Sequence, residues 1–584
     1  MTMVKVTING VEHEVPDGIT ILEACQMAGV RVPTLCNHPR LEPTGACRVC
    51  VVEVEGMRNL QPACATKVAD GMKINTVSDR VQNAVRFNLS LLLSRHPNDC
   101  MTCEANGRCE FQDLIYEYDV KDIFPKTLLG DAYLDTSSPS IVRDLEKCVV
   151  CGRCVRVCSE IQDMNVYSMT NRGAESLPLT AFNLPVAETD CINCGQCSLF
   201  CPTGAIVENS AVHQMWQALK RHDKILVVQT APSTRVAISE EFGMLPGSIS
   251  TGKMVAALKM LGFDYVFDTN FSADLTIMEE GSEFLERLKK GGPFPMFTSC
   301  CPGWVNLMEK KYPQLRKNLS SAKSPQQMMG AVIKSYFAQK IGVSPDDILS
   351  VSIMPCTAKK DEALRPQQFI NGKPTVDIVL TTRELARLIR LANIPFASLP
   401  EREYDDPLGE STGAGAIFGV TGGVMEAALR TAYELGTGKA LPKLEFTEVR
   451  GLEGIREATV NFDGKELRVA IAHGGSNVRK LVERIIAGEV YYDFVEMMAC
   501  PGGCIGGGGQ PYSLDRDVLK KRAEGIYTID ERSVIRKSHE NPSIKRIYEE
   551  FFEHPLSHRA HELLHTYYTD RSKKGVKSRE KVEV

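Results

Sequence analysis

The feature that most restricts what this sequence can fold into is its cysteine set. There are 21 in 584 residues, many separated by only two or three positions. Without a secretion signal, such spacings mean metal ligation or catalysis more often than disulfides. The first residues, MTMVKVTINGVEHEV, are charged and strand-like and lack a signal peptide's apolar core. No apolar run approaches the roughly 18 residues of a membrane span. These readings predict a cytoplasmic protein with no membrane partner. A net charge of −5 gives no basic surface for nucleic acid. The length calls for several domains rather than one core.

Residues 4–15 alternate around Asn9-Gly10, a hairpin signal. A helix pattern over 19–28 ends at Gly29, and a strand is expected at 51–54. Residues 80–120 read as helical. Residues 126–210 hold an internal repeat. From about 211, apolar strand candidates at 225–229, 264–268, 296–299, 349–354, 377–380, 467–472 and 494–498 alternate with helix patterns, which predicts α/β architecture. The expected domains are 1–80, 81–125, 126–210 and 211–584. The charged end, RSKKGVKSREKVEV, reads as a solvated tail.

The repeat is the most specific signal. Cys148-x2-Cys151-x2-Cys154-x3-Cys158 recurs as Cys191-x2-Cys194-x2-Cys197-x3-Cys201-Pro202. This matches the bacterial ferredoxin run, in which the fourth Cys of each run binds the other cluster. One [4Fe–4S] cluster is therefore expected on Cys148, Cys151, Cys154 and Cys201, and a second on Cys191, Cys194, Cys197 and Cys158. The first run carries Ser159 where proline is usual. Paired zinc knuckles are the alternative, disfavoured because three close cysteines plus a distant fourth suit a cuboidal cluster.

Cys36, Cys47, Cys50 and Cys64 have the ligand count of a plant-type [2Fe–2S] site, with a first gap of ten residues rather than four. A zinc ribbon is the alternative there. His96, Cys100, Cys103 and Cys109 suit a [4Fe–4S] cluster with one imidazole ligand, against a zinc site or a surface histidine before Pro97. Cys25, in the first helix pattern, reads as a buried structural thiol.

The remaining five cysteines lie in TSCCPGW (298–304), MPCTAKK (354–360) and EMMACPGGCIGGGG (496–509), each after an apolar strand candidate. In open α/β sheets, sites form beyond the carboxyl ends of strands. Four of these thiols could hold one more cluster, leaving one of Cys300 and Cys301 free beside it. GAGAIFG (413–419) lacks GxGxxG spacing, and no GxxxxGK[ST] occurs, so no nucleotide or flavin signature is present. The residues alone describe an electron wire ending at a metal centre.

The last three segments closely resemble the signatures of the iron-only ([FeFe]) hydrogenases. The upstream motifs resemble the accessory domains of the large monomeric clostridial type. The resemblance implies a multidomain α/β fold. Its parts are a β-grasp [2Fe–2S] ferredoxin-like domain, a small helical domain whose cluster has one histidine and three cysteine ligands, a 2[4Fe–4S] ferredoxin-like domain and a large α/β catalytic domain. It implies one [2Fe–2S] cluster, three accessory [4Fe–4S] clusters and an H-cluster. The last is a cubane on Cys301, Cys356, Cys500 and Cys504, with Cys504 bridging to a two-iron unit carrying CO, cyanide and azadithiolate. Lys359 would hydrogen-bond a cyanide, and Ala231, Pro232 and Ser233 would lie against the unit. Gln326, Met354, Phe418, Gly419 and Met498 would complete the cavity. Cys300 would exchange protons with the azadithiolate amine, and Glu280, Ser320, Glu283 and Arg287 would carry them outward. Glu280 and Glu283 are three apart, which on a helix places them on one face.

The implied activity is reversible 2H⁺ + 2e⁻ ⇌ H₂, with electrons exchanged with ferredoxin or a similar soluble carrier, and with maturation proteins as further partners. The rivals are a hydrogen sensor of the same family, an electron-transfer subunit resembling the iron–sulfur subunit of respiratory complex I, and a narf-like assembly factor. The sensor usually adds a signalling domain. The complex I subunit shares only the upstream motifs, and the assembly factor should lack the full MPCTAKK and EMMACPGGC contexts.

Overall fold

The architecture is that of a computed structural model and is described for residues 2–121, 123–129 and 133–572. Most of the charged tail, 573–584, lies outside the described residues.

At the N-terminus, strands Met3–Ile8 and Val11–Pro16 pair antiparallel around Asn9 and Gly10, both at positive φ as a tight hairpin turn requires. They join Met72–Asn75, Val51–Val54 and Gln61–Pro62 in a five-stranded sheet. The first helix, Ile21–Met27, starts two residues later than the apolar pattern indicates. A capping box sets that start: Thr20 accepts from the Glu23 amide, and the Glu23 carboxylate accepts from the Thr20 amide. Cys25 is fully buried with Val6, Ile8 and Val52, and burial pushes its thiol up to about 11.

The helical expectation over 80–120 is only partly met. Helices Asp79–Leu93 and Glu110–Glu117 flank an irregular segment holding His96, Cys100 and Cys103. Pro97 has no amide hydrogen to continue the first helix, and it disfavours helical backbone at His96.

The internal repeat is also a repeat of backbone conformation. Val150 and Asn193 have φ of 53° and 61°, and Gly152 and Gly195 have φ of 70° and 68°. Each glycine starts a short helix, Arg153–Arg156 or Gln196–Phe200. The runs diverge after their fourth helical residue. In the second, the helix stops before Cys201-Pro202; in the first, it continues as a wide turn through Val157–Ile161. Ser159, which keeps the amide proline lacks, permits that continuation, and its hydroxyl donates to the Val155 carbonyl at 3.0 Å.

All seven strand candidates beyond 211 are present, but they form two sheets. Tyr265–Asp268, Ile225–Thr230, Ile348–Met354 and Ile378–Thr381 make a four-stranded parallel sheet. Met296–Phe297, Phe494–Met498 and Lys465–His473 run parallel in the second, edged by antiparallel Ile455–Phe462. That edge strand is missing from the apolar pattern because most of its residues are partly or fully exposed. A 22-residue helix, Thr269–Lys290, starts at an Asp268 cap and carries both Glu280 and Glu283. The GAGAI glycines form a short helix, Gly413–Ile417, packed so closely that a side chain at Gly415 would stand 2.6 Å from the Asn270 carbonyl oxygen. Among the described residues, no helix is long and apolar enough to cross a membrane.

Candidate functional site

Each cysteine segment starts where a parallel strand ends. Met296–Phe297 leads to Cys300 and Cys301, and Cys301 caps helix Pro302–Lys311. Ile348–Met354 leads to Cys356 and helix Ala358–Ala363. Phe494–Met498 leads to Cys500 and the turn Cys504–Gly506. The first and third strands belong to one sheet and the second to the other, so the site lies where the carboxyl ends of two sheets meet.

Here the chain leaves a cavity of about 70 Å³, lined by Cys300, Cys301, Cys356, Cys500 and Cys504 with Ala231, Pro232, Gln326, Met354, Lys359, Phe418 and Met498. Ser233 and Gly419 stand just behind this wall. A side chain at Gly419 would come within 3.2 Å of the Ser233 amide, and Gln510 ties Ser233 to the Cys504 carbonyl through its Nε2. Thr269, Ala273, Pro302, Pro325, Gly503 and Gly507 also line the cavity, unmarked in the sequence because none bears distinctive chemistry. Glu362 is a further omission. Its carboxylate accepts from Lys359 Nζ at 2.9 Å, Ser324 Oγ at 2.9 Å and Gln326 Nε2 at 3.1 Å, which fixes two wall residues at once.

Burial drives the electrostatics. It pushes the thiols of Cys300, Cys301 and Cys504 above the usual range, while Cys356 and Cys500 hydrogen-bond each other and split, one lowered and one raised. Burial opposes the Lys359 ammonium too, but Glu362 and the neighbouring sulfurs hold its pKa above the ordinary value. Lys359 also donates to the Cys300 carbonyl at 3.1 Å. Converging thiols, all but Cys356 disfavoured as bare thiolates, beside one ammonium in an apolar cavity, fit a metal cluster with anionic ligands. Coordination deprotonates such thiols outright, and the lysine complements the remaining charge.

On the other side of Cys300 lies Glu280, close enough that its charge raises the thiol further. Both Glu280 carboxyl oxygens are buried without a hydrogen-bond partner. Burial, followed by the nearby Glu283, pushes its pKa up to about 8. Ser320 Oγ donates to Glu283 Oε2 at 3.2 Å, and Arg287 donates to Glu283 Oε1 at 2.5 Å. The structure thus brings Cys300, Glu280, Ser320, Glu283 and Arg287 into one file.

The upstream cysteines are also grouped. Cys50 and Cys64 sulfurs lie 3.3 Å apart, and Cys36 is in hydrogen-bond reach of Cys47 and Cys64. His96 is buried, with Nδ1 2.8 Å from the Pro97 carbonyl oxygen. That oxygen only accepts, so Nδ1 carries the proton, and Nε2 is left buried, unpartnered and free to ligate. Backbone amides donate to Cys148 Sγ from Val150 at 3.3 Å and to Cys191 Sγ from Asn193 at 3.4 Å. Such bonds tune cluster potential.

The groups are in contact. Helix Arg153–Arg156 reaches the N-terminal set, with Arg156 donating to the Cys36 carbonyl at 2.5 Å. The His96 set meets the same neighbour, since a side chain at Gly204 would strike Cys103 Sγ at 2.6 Å. Two peripheral groups therefore abut one central site. At the other end, Thr357 Oγ1 donates to the Asn193 carbonyl at 2.8 Å, and Gln196 Nε2 to the Gly506 carbonyl at 2.8 Å. At Gly508, an added Cβ would stand 2.2 Å from the Cys194 carbonyl oxygen.

Sequence families match along the chain in the same order. Residues 1–79 match a 2Fe-2S iron-sulfur cluster binding domain, 86–123 the NADH-ubiquinone oxidoreductase-G iron-sulfur binding region, and 147–205 a 4Fe-4S dicluster domain. Residues 224–508 match the iron only hydrogenase large subunit, C-terminal domain, and 516–571 the iron hydrogenase small subunit. The chain is therefore an iron–sulfur oxidoreductase with a metal active centre.

It is 50% identical to NADP-reducing hydrogenase subunit HndD of Solidesulfovibrio fructosivorans, over 98% of this chain and 100% of that one. It is 42% identical to iron hydrogenase 1 of Clostridium pasteurianum, over 97% of this chain and 100% of that one. A solved [FeFe]-hydrogenase from Chlamydomonas reinhardtii superposes with a TM-score of 0.57 at 47% identity, covering 63% of this chain and 100% of that one. The chain belongs to the iron-only hydrogenases, the enzymes that interconvert protons, electrons and H₂, and its catalytic domain is the H-cluster domain of that family.

Proposed function

We propose that the four upstream groups hold one [2Fe–2S] and three [4Fe–4S] clusters, on the ligand sets named from the spacing, within the domains 1–80, 81–125 and 126–210, ahead of a catalytic domain at 211–584. Cys301, Cys356, Cys500 and Cys504 would hold the cubane of the H-cluster, and Cys504 would also carry the two-iron unit. When bound, the H-cluster supplies the iron at which two electrons and two protons become H₂. The protein's own residues do the rest. Lys359, fixed by Glu362, would offer its ammonium to the cyanide ligands of the bound centre. Ala231, Pro232, Met354, Phe418 and Met498 keep water from the cavity. Cys300 exchanges protons with the centre, and Glu280, Ser320, Glu283 and Arg287 connect it outward. The observation that carries the reading is the convergence of four cysteines from two sheets on one cavity, with a fifth facing an unpartnered buried glutamate.

Glu280 holds its proton below about pH 8 and is anionic above it. Hydrogen evolution driven by reduced viologen should therefore fall as pH rises through that value. Glu280→Gln, which has no titrating proton, should lose about 10²-fold or more at every pH. A full rate in that variant would remove Glu280 from the path.

Electrons enter through the peripheral clusters from ferredoxin or a similar soluble carrier, and dedicated maturation proteins supply the two-iron unit. A cytoplasmic location is supported by cysteines set at ligand spacings, as in a reducing compartment. The near-full-length likeness to HndD favours a second reading of the carrier, in which a partner subunit links the clusters to NADP. Assays with reduced ferredoxin and with NADPH, on the purified chain and on complexes captured with it, separate the two. Ferredoxin-driven evolution by the chain alone supports the first. NADPH-dependent evolution only with a co-purified partner supports the second.

A further inference from the structure

The outward file does not end at Arg287. The Glu283 carboxylate also accepts from the Ser321 amide at 2.9 Å and from Ser321 Oγ at 3.0 Å. Ser321 Oγ lies 2.8 Å from Nδ1 of His565. On the far side of the ring, Nε2 lies 3.0 Å from Glu279 Oε2. Glu279 accepts from Tyr548 on one oxygen and from the Leu556 amide on the other, so it is a carboxylate and the proton between it and His565 sits on Nε2. Nδ1 is then free to accept. A backbone pairing of Ala322 with His565 fixes the ring in place.

The chemistry facing His565 is mostly acidic. Helix Thr269–Lys290 presents Glu279 to His565 directly and Glu283 through Ser321, with Arg287 already engaged by Glu283, and its Glu286 faces the neighbouring His561. Ser321 and Lys323 flank the paired Ala322, Tyr548 reaches Glu279, and Tyr568 donates to the Ser320 carbonyl. The exposed His561 lies against His565 with its ring tilted by 42° and the ring centroids 4.3 Å apart.

We propose that His565 is a proton-holding group branching from the path at Glu283 and reached through Ser321. Protonated Glu283 gives its proton to Ser321 Oγ while the Ser321 hydroxyl proton passes to His565 Nδ1. One O–H bond breaks at Glu283 and one at Ser321; one O–H bond forms at Ser321 and one N–H bond at His565. No electron moves. The imidazolium is held by Glu279, and the stored proton returns by the reverse step. Since each H₂ requires two protons, a stocked group beside the path matters most when bulk protons are scarce. The segment that provides His565 and Tyr568 is the part of the chain that matches the small subunit, so that segment contributes to proton supply as well as to packing.

The inference rests on the path through Cys300 and Glu280, and the test separates the two. Viologen-driven evolution is measured across pH in the matured enzyme and in His565→Gln, Ser321→Ala and Glu280→Gln. The first two variants should lose about fivefold on the alkaline side and under twofold on the acid side, and imidazole in the buffer should restore His565→Ala. In ¹⁵N-histidine-labelled protein, the His565 ring signal, assigned by its loss in His565→Gln, should show the proton on Nε2 and lose that preference in Glu279→Gln, where the carboxylate partner is gone. A pH-independent loss without imidazole rescue, or a His565 ring signal unchanged in Glu279→Gln, would overturn the branch while leaving the path intact. A full rate in Glu280→Gln would overturn both.

Discussion

Cys300→Ala should lower hydrogen evolution by at least about 10²-fold, equivalent to roughly 2.7 kcal/mol of barrier, while the iron content and the infrared bands of bound CO and cyanide remain. The assignment turns on which of two adjacent cysteines is a ligand. Successive residues of extended chain point to opposite sides. Cys301 is extended at φ −95° and ψ 105°, starts a helix, and its sulfur accepts from the Ala499 amide at 3.3 Å, which turns it toward the third cysteine segment. Cys300 instead feels the charge of Glu280, the first group of the outward file. The thiol is held neutral by burial, so it can give a proton, and Glu280 beyond it can replace that proton below about pH 8. Near-normal turnover in Cys300→Ala would take this side chain out of the path.

Cys504→Ser should abolish evolution by a different route. On the proposed assignment its sulfur would be both a cubane ligand and the link to the two-iron unit, so the CO and cyanide bands should vanish with activity. The spectroscopic signals of the upstream clusters should persist, because their ligands lie in separate segments of the chain. Cys504 sits in a turn that tolerates little change. Gly503 before it has φ 87°, and a side chain there would meet the Thr421 amide at 2.8 Å and the Met498 sulfur at 2.9 Å. The glycines around Cys504 let the backbone pass close to its neighbours and hold the Cys504 sulfur in one place. Retention of the infrared bands in Cys504→Ser would place the link elsewhere.

Both outcomes depend on information of two kinds. Ligand type and short-range spacing are local, so the sequence reveals them directly. The ferredoxin-like repeat reappears as matching left-handed backbone at Val150, Asn193, Gly152 and Gly195. The apolar strand candidates survive because buried parallel strands read as continuous apolar runs. Strand Ile455–Phe462 and the break after Leu93 were less legible. The first is half-exposed, and the second depends on Pro97 acting against an otherwise helical composition.

The sequence alone determined the chemistry: twenty-one cysteines, their spacings, and the three segments that resemble a hydrogenase site. Only the tertiary structure decided which strand ends meet. It joined two sheets rather than one at the cavity, set Glu362 behind Lys359, and carried His565 back beside Ser321 across more than half the catalytic domain. Such pairings rest on long-range packing, which no local pattern encodes. The same packing supplies the burial that drives Glu280 toward its neutral form and leaves its oxygens without partners.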